Sequence, residues 1–141
     1  MPRPSEYTLE LAEEICEKVS NSSIGLNKLC AENPHWPCDL TIRRWVVKHA
    51  EFCSLYAQAK LNRADYLVEE ILAIADDSTN DFMKDKDGNE KVNSEHINRS
   101  RLRVDTRKWI AAKFAPKVYG EKIQSSHTTE GSLLEKLIDK L

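Results

Sequence analysis

Residues 51–77, EFCSLYAQAKLNRADYLVEEILAIADD, run for 27 positions without proline or glycine. That stretch restricts the chain to architectures built on a long helix. Within it Phe52, Leu55, Tyr56, Ala59, Ala64, Leu67, Val68, Ile71, Ile74 and Ala75 recur at three- and four-residue steps, the period of an apolar helix face. At 1.5 Å per residue the helix is expected to reach about 40 Å. This is long for 141 residues, and it reads as a spine that holds the flanking parts, and subunits, together.

Three short helices are expected ahead of the spine. Thr8 caps the first, which runs to about Ser20 with Ala12, Ile15, Cys16 and Val19 as its inner stripe. After the Asn21-Ser22-Ser23 turn, the second runs from Ile24 to about Glu32, with Leu26, Leu29 and Cys30 inward. Pro34 and Pro37 exclude a helix across Asn33 to Cys38. Asp39 then caps a third helix through about His49, with Ile42, Trp45 and Val46 inward and Thr41, Arg44 and Lys48 on the opposite side beside Arg43. Two short helices joined by a turn, the second presenting Thr and Arg outward, fit a helix-turn-helix. In that arrangement arginines reach guanine edges and lysine reaches phosphate. The other reading is a small bundle whose charged face is only solvated. The turn is longer than the usual three or four residues and has no glycine.

Beyond the spine, Asp76 to Asp81 is rich in turn formers, and the Asp87-Gly88 pair marks a short hairpin near residues 84–92. A calcium loop is not expected there, because Met83 and Ser94 occupy ligand positions that require carboxylates. Ser94 caps a further helix to about Ala115, stopped by Pro116. Arg99, Arg103 and Arg107 form a stripe on it at four-residue steps, while Leu102, Trp109, Ile110 and Phe114 supply packing. The stripe reads either as phosphate contacts or as pairing with Asp65, Glu69, Glu70 or Asp76 of the spine.

The second option accounts for the charge layout. The formal net charge is only −2, yet residues 18–63 hold seven Lys/Arg against three Asp/Glu, residues 64–90 two against nine, and residues 91–122 nine against three. Complementary blocks on either side of one turn suit helices that pair, and they also let an acidic chain show basic patches to a polyanion. Past Gly120, residues 125–132 read as a flexible linker. Leu133, Leu134, Leu137, Ile138 and Leu141 then form a short amphipathic helix suited to a partner or to the chain itself.

Several chemistries are not expected. No phosphate-cradling glycine loop, zinc-protease motif or nucleophile elbow occurs, and Gly25, Gly88, Gly120 and Gly131 do not cluster. Catalysis and a cofactor are therefore not expected. Cys30, His35 and Cys38 lie close together but lack a paired C-x-x-C and a fourth ligand, so no metal is expected. No apolar run is as long as a membrane span, and the N-terminus, with Pro2-Arg3-Pro4 as a mobile arm, is unlike a signal peptide. A cytoplasmic protein with Cys16, Cys30, Cys38 and Cys53 reduced is expected.

Several segments together carry a resemblance: Arg3-Pro4-Ser5-Glu6-Tyr7, Thr41-Ile42-Arg43-Arg44-Trp45, Ala75-Asp76-Asp77, the run from Asn98 through Arg101-Leu102-Arg103-Val104-Asp105-Thr106-Arg107-Lys108-Trp109, and Ala115-Pro116-Lys117-Val118-Tyr119-Gly120-Glu121-Lys122. From about Arg3 to Lys122 the chain resembles the small terminase subunits of tailed double-stranded DNA bacteriophages and prophages, in the helix-turn-helix branch. The resemblance implies a non-enzymatic packaging factor that forms homo-oligomeric rings. Such a factor recognises the packaging-initiation site in double-stranded DNA and passes it to a large subunit carrying ATPase and nuclease.

It further implies a mainly α fold in three parts: residues 1–49 as a helix-turn-helix domain, 50–122 as an oligomerisation domain in which the spine has an antiparallel partner helix, and 123–141 as a tail. Thr41, Arg43, Arg44 and Lys48 match the DNA-facing helix. Leu55, Leu67, Ile71, Arg99, Arg103, Arg107 and Trp109 fall in the assembly core. The tail lies beyond the resemblance, and Leu133, Leu134, Leu137 and Ile138 are read from their amphipathic pattern as a segment for docking the large subunit. Read from the residues alone, a dimeric helix-turn-helix transcription regulator and a purely structural assembly protein remain open.

Overall fold

Helix-forming periodicity dominates the chain, and the computed structural model is accordingly mainly α, with six helices and one small sheet among the described residues, 6–121 and 137–140. Helix α1, Leu9–Ser20, starts where Thr8 Oγ1 accepts from the Leu11 N–H at 3.2 Å, and it buries Ala12, Ile15, Cys16 and Val19. Helix α2, Leu26–Glu32, buries Leu26, Leu29 and Cys30. It begins two residues later than the sequence suggests, because the Ser22 hydroxyl accepts from the Ile24 N–H at 3.1 Å and holds that residue in the turn.

Helix α3, Asp39–Lys48, is capped by Cys38 and not by Asp39. Asp39 is the first helical residue, where its negative charge faces the positive end of the helix dipole and reaches Arg43 at 3.8 Å. Helix α4, Ala50–Asp76, is the expected spine. A single residue, His49, closes α3 and opens α4 with an extended backbone.

Strands β1, Phe82–Lys84, and β2, Glu90–Val92, pair antiparallel with Phe82 opposite Val92. Their loop is closed by Asp85, whose Oδ1 accepts from the N–H groups of Asp87 and Asn89, both at 2.9 Å. Gly88 takes the left-handed conformation, φ +81°, that side chains rarely adopt. Helix α5, Ser94–Phe114, is capped by Asn93, which accepts from the His96 N–H at 3.3 Å, one residue before the expected Ser94. A single turn, α6 (Pro116–Tyr119), follows.

Two apolar clusters result. The larger joins α1, α2 and α3 to the first third of α4 through Trp36, Ile42, Trp45, Phe52 and Ala59. The smaller consists of Ala64, Ala111 and Ala115, with Val68, Phe114 and Tyr119 against it. Alanines at the crossing let two helix backbones approach closely. Helix α5 runs antiparallel to α4, since Glu70 meets Arg107 at 2.8 Å while Asp81 near the turn meets His96 at 3.7 Å. The expected arm at 2–4, the linker at 125–132 and Leu133, Leu134 and Leu141 lie outside the described residues.

Candidate nucleic-acid interface

Helix α3 is held by one side only. Ile42 and Trp45 are buried and Val46 is half-buried, whereas Arg43, Arg44 and Lys48 are exposed. Thr41 sits at the margin, half-buried, with its hydroxyl 3.4 Å from Cys38 Sγ. That hydroxyl and the Thr41 backbone N–H hold the Cys38 thiol below its ordinary pKa. Of the four residues the sequence proposes for DNA, three therefore share an open face. The centre of that face is occupied by two residues that the sequence reading passed over, Leu40 and Val47, at 60% and 88% exposure.

The long turn before α3 is anchored at two points. Trp36 is fully buried, and its indole Nε1 donates to Glu14 Oε2 of α1 at 3.1 Å. His35 Nε2 lies 3.0 Å from both Glu14 oxygens. The His35 hydrogen bond, aided by Trp36, holds the Glu14 carboxyl below its ordinary value. Asn33 closes the end of α2, its side chain donating to the Leu29 carbonyl at 2.8 Å. A turn without glycine thus aims α3 through a tryptophan wedge and a carboxylate clamp.

Behind α3, Tyr7 stacks on His49 at 3.7 Å, meets the edge of Trp45 at 5.4 Å and donates to Glu51 Oε1 at 2.9 Å. Burial and the Glu51 hydrogen bond push the Tyr7 hydroxyl up to about 12. Further along the spine, Arg63 donates to the Ile24 carbonyl, fastening α4 to the turn before α2.

The α4–α5 pair carries the second set of candidates. Arg107 donates to Glu70, one of the acidic partners expected, while Arg99 and Arg103 are exposed and form no ion pair among the described residues. Leu67 is buried, and half-buried Leu55 packs on the larger cluster. Ile71 and the 64%-exposed Trp109 line an open cleft of about 1020 Å³, with Val68, Ala112, Pro116 and Tyr119. Leu137 and Ile138 are exposed. Among the described residues no group of three or more His, Cys, Asp or Glu is placed to hold a metal ion, and no helix is long and apolar enough to cross a membrane.

Residues 7–126 match the family described as Bacteriophage Sf6, terminase small subunit-like. The chain belongs to that family. Three crystal structures of the terminase small subunit gp1 of the bacterial virus Sf6, each with one substitution, are similar to this terminase small subunit in sequence and in fold. They are 38%, 37% and 36% identical to it, cover 87% of its length and superpose with TM-scores of 0.67. The match spans 89% of the first of those chains and 84% of the other two. No curated protein sequence matches it significantly.

In this terminase small subunit the clamp on the turn was not legible beforehand, because Glu14 and Trp36 stand 22 residues apart and no local pattern links them. Leu40 and Val47 could have been found. Plotted at about 100° per residue, both fall opposite the Ile42/Trp45 stripe.

Proposed function

We propose that this terminase small subunit is the non-catalytic DNA-recognition component of a phage packaging machine in the bacterial cytoplasm. Residues 1–49 read the packaging-initiation site, with Arg43, Arg44 and Lys48 of α3 meeting bases and phosphates and Thr41 at the edge of the contact. Residues 50–122 assemble copies into a ring. Ile71, Trp109, Arg99 and Arg103 are the groups that a neighbouring copy meets, while Leu55, Leu67 and Arg107 shape the scaffold behind them. The tail from 123, with Leu133, Leu134, Leu137 and Ile138, docks the terminase large subunit, whose ATPase and nuclease do the chemistry.

The observation that carries this reading is the one-sided anchoring of α3. Its inner face is closed by Ile42 and Trp45, and its outer face offers Arg43, Arg44 and Lys48 to solvent. A helix held in this way is available to a major groove. Three cations per copy limit the salt slope to about −2.7 at most for each copy engaged, which is weak binding, so a ring raises affinity by presenting several copies at once.

The test combines native mass spectrometry with anisotropy titrations on viral DNA spanning the packaging region and on a scrambled duplex. A closed oligomer larger than a dimer, with salt-dependent preference for the viral duplex, is expected. A clean dimer that binds a palindromic operator would replace this reading with a transcription regulator. Ring assembly with no affinity for DNA at low salt would leave a structural assembly protein.

A further inference from the structure

The outer face of α3 contains more than its cations. At about 100° per residue, Leu40 and Val47 lie about 20° apart on one line, and Arg43 and Arg44 flank that line by about 50° on either side. Leu40 is 60% exposed and Val47 88%. Single exposed aliphatic residues are ordinary, but these two form the midline of a charged face. A β-branched valine on a solvated helix surface is favoured neither by solvation nor by helix propensity.

The geometry points to Leu40 and Val47 as specificity-determining residues that read thymine, each packing against a C5-methyl group in the major groove. This rests on the reading of α3 as the DNA-facing helix. The flanking arginines select the occupant, since an apolar line between two guanidinium groups suits a polyanion whose groove floor carries methyl groups. Apolar contact is the way the thymine methyl is distinguished from the other major-groove edges. The two side chains are seven positions apart, about 10 Å of helix axis. That distance spans about three base-pair steps at 3.4 Å each, so the two thymines stand about three base pairs apart with the arginine contacts between them.

The test uses the full chain. Short randomised duplexes are selected on wild-type protein at fixed salt, and the selected duplex is resynthesised with deoxyuridine replacing thymidine one position at a time. Deoxyuridine lacks only the C5-methyl. Loss of one buried methyl is expected to weaken wild-type binding about fourfold per engaged copy, at two positions about three base pairs apart. V47A is expected to abolish the sensitivity at one position and L40A at the other. Neither substitution threatens folding, since both side chains are exposed and alanine is the better helix former.

Selected binding that R44A abolishes but deoxyuridine leaves unchanged at every position overturns the thymine reading and leaves the proposed function standing. Failure to select any sequence, with no dependence on Arg44, overturns both. A change in oligomer mass for V47A or L40A by native mass spectrometry overturns it as well, assigning the midline to a second copy of the chain.

Discussion

Replacing Glu14 with leucine removes the acceptor that holds Trp36 while keeping the bulk of the side chain. The indole N–H is enclosed with the rest of Trp36, which has no exposed surface, and an unmet buried donor costs about 1–3 kcal/mol. The Glu14 side chain is 39% exposed, so water can reach part of the gap, which places the cost in the lower half of that range, about 1–2 kcal/mol. The His35 pair adds little, because its side chain is 58% exposed and exposed pairs contribute about 0–1 kcal/mol.

With a urea dependence of about 2 kcal/mol per molar, the midpoint should fall by about 0.7 M, measured by circular dichroism at one fixed protein concentration. Glu14→Gln keeps a carbonyl acceptor and should lose less than half as much. The decisive comparison is Glu14→Leu in a Trp36→Phe background, where no donor remains to be orphaned. A coupling of about 1 kcal/mol between the two substitutions is expected. Simple additivity, or a Glu14→Leu midpoint equal to wild type, would refute the clamp as what aims α3.

The same carboxylate sets an acid limit. Its pKa is depressed in the fold, so its contribution is complete above its ordinary value of 4.5 and is lost as pH falls through the lower folded value; in Glu14→Gln this part of the acid loss should vanish from a pH series of urea melts. Tyr7 acts at the other end. Its hydroxyl is raised from 10.0 to about 12, so the fold should lose stability as pH rises across that interval, and Tyr7→Phe should flatten the alkaline slope. Arg107→Ala breaks a half-buried pair with Glu70, whose side chains are 15% and 26% exposed, and should cost about 1–2 kcal/mol in urea melts, between the surface and fully buried cases; Glu70→Ala in the same background should add little. Arg44→Ala should weaken site-specific binding and reduce the salt slope by at most about 0.9 per engaged copy, with the oligomer unchanged by native mass spectrometry.

The helical framework was legible because its signals are local. The stripes of α1 and α2 came out with every expected residue buried, since periodicity reports a face wherever one side of a helix meets a core. Caps were less secure. Cys38 and Asn93 stand one residue ahead of the expected Asp39 and Ser94; Asn93 takes an orphan N–H with its side chain, whereas Cys38 caps through its extended backbone alone. The charge blocks pointed to α4–α5 pairing, and Arg107 with Glu70 supplies one such pair, but the pattern could not say which arginines would stay open. Arg99 and Arg103 share the spacing of Arg107 and differ only in where the partner helix passes. The aim of α3 was hidden altogether, because it depends on contacts between Trp36, His35 and Glu14 across about 20 residues.

His49 is the whole junction between α3 and α4, and Tyr7 braces it by stacking on the ring and bonding to Glu51. A reader on a flexible tether can be exchanged for another without regard to phase. Here one residue inserted in the first turn of α4 would turn the α3 face by about 100° around the spine axis. On the proposed DNA-reading role, the first three helices and the spine are therefore geared to one another: a change of DNA target would come from side chains on α3, because grafting a different head would change where each copy points.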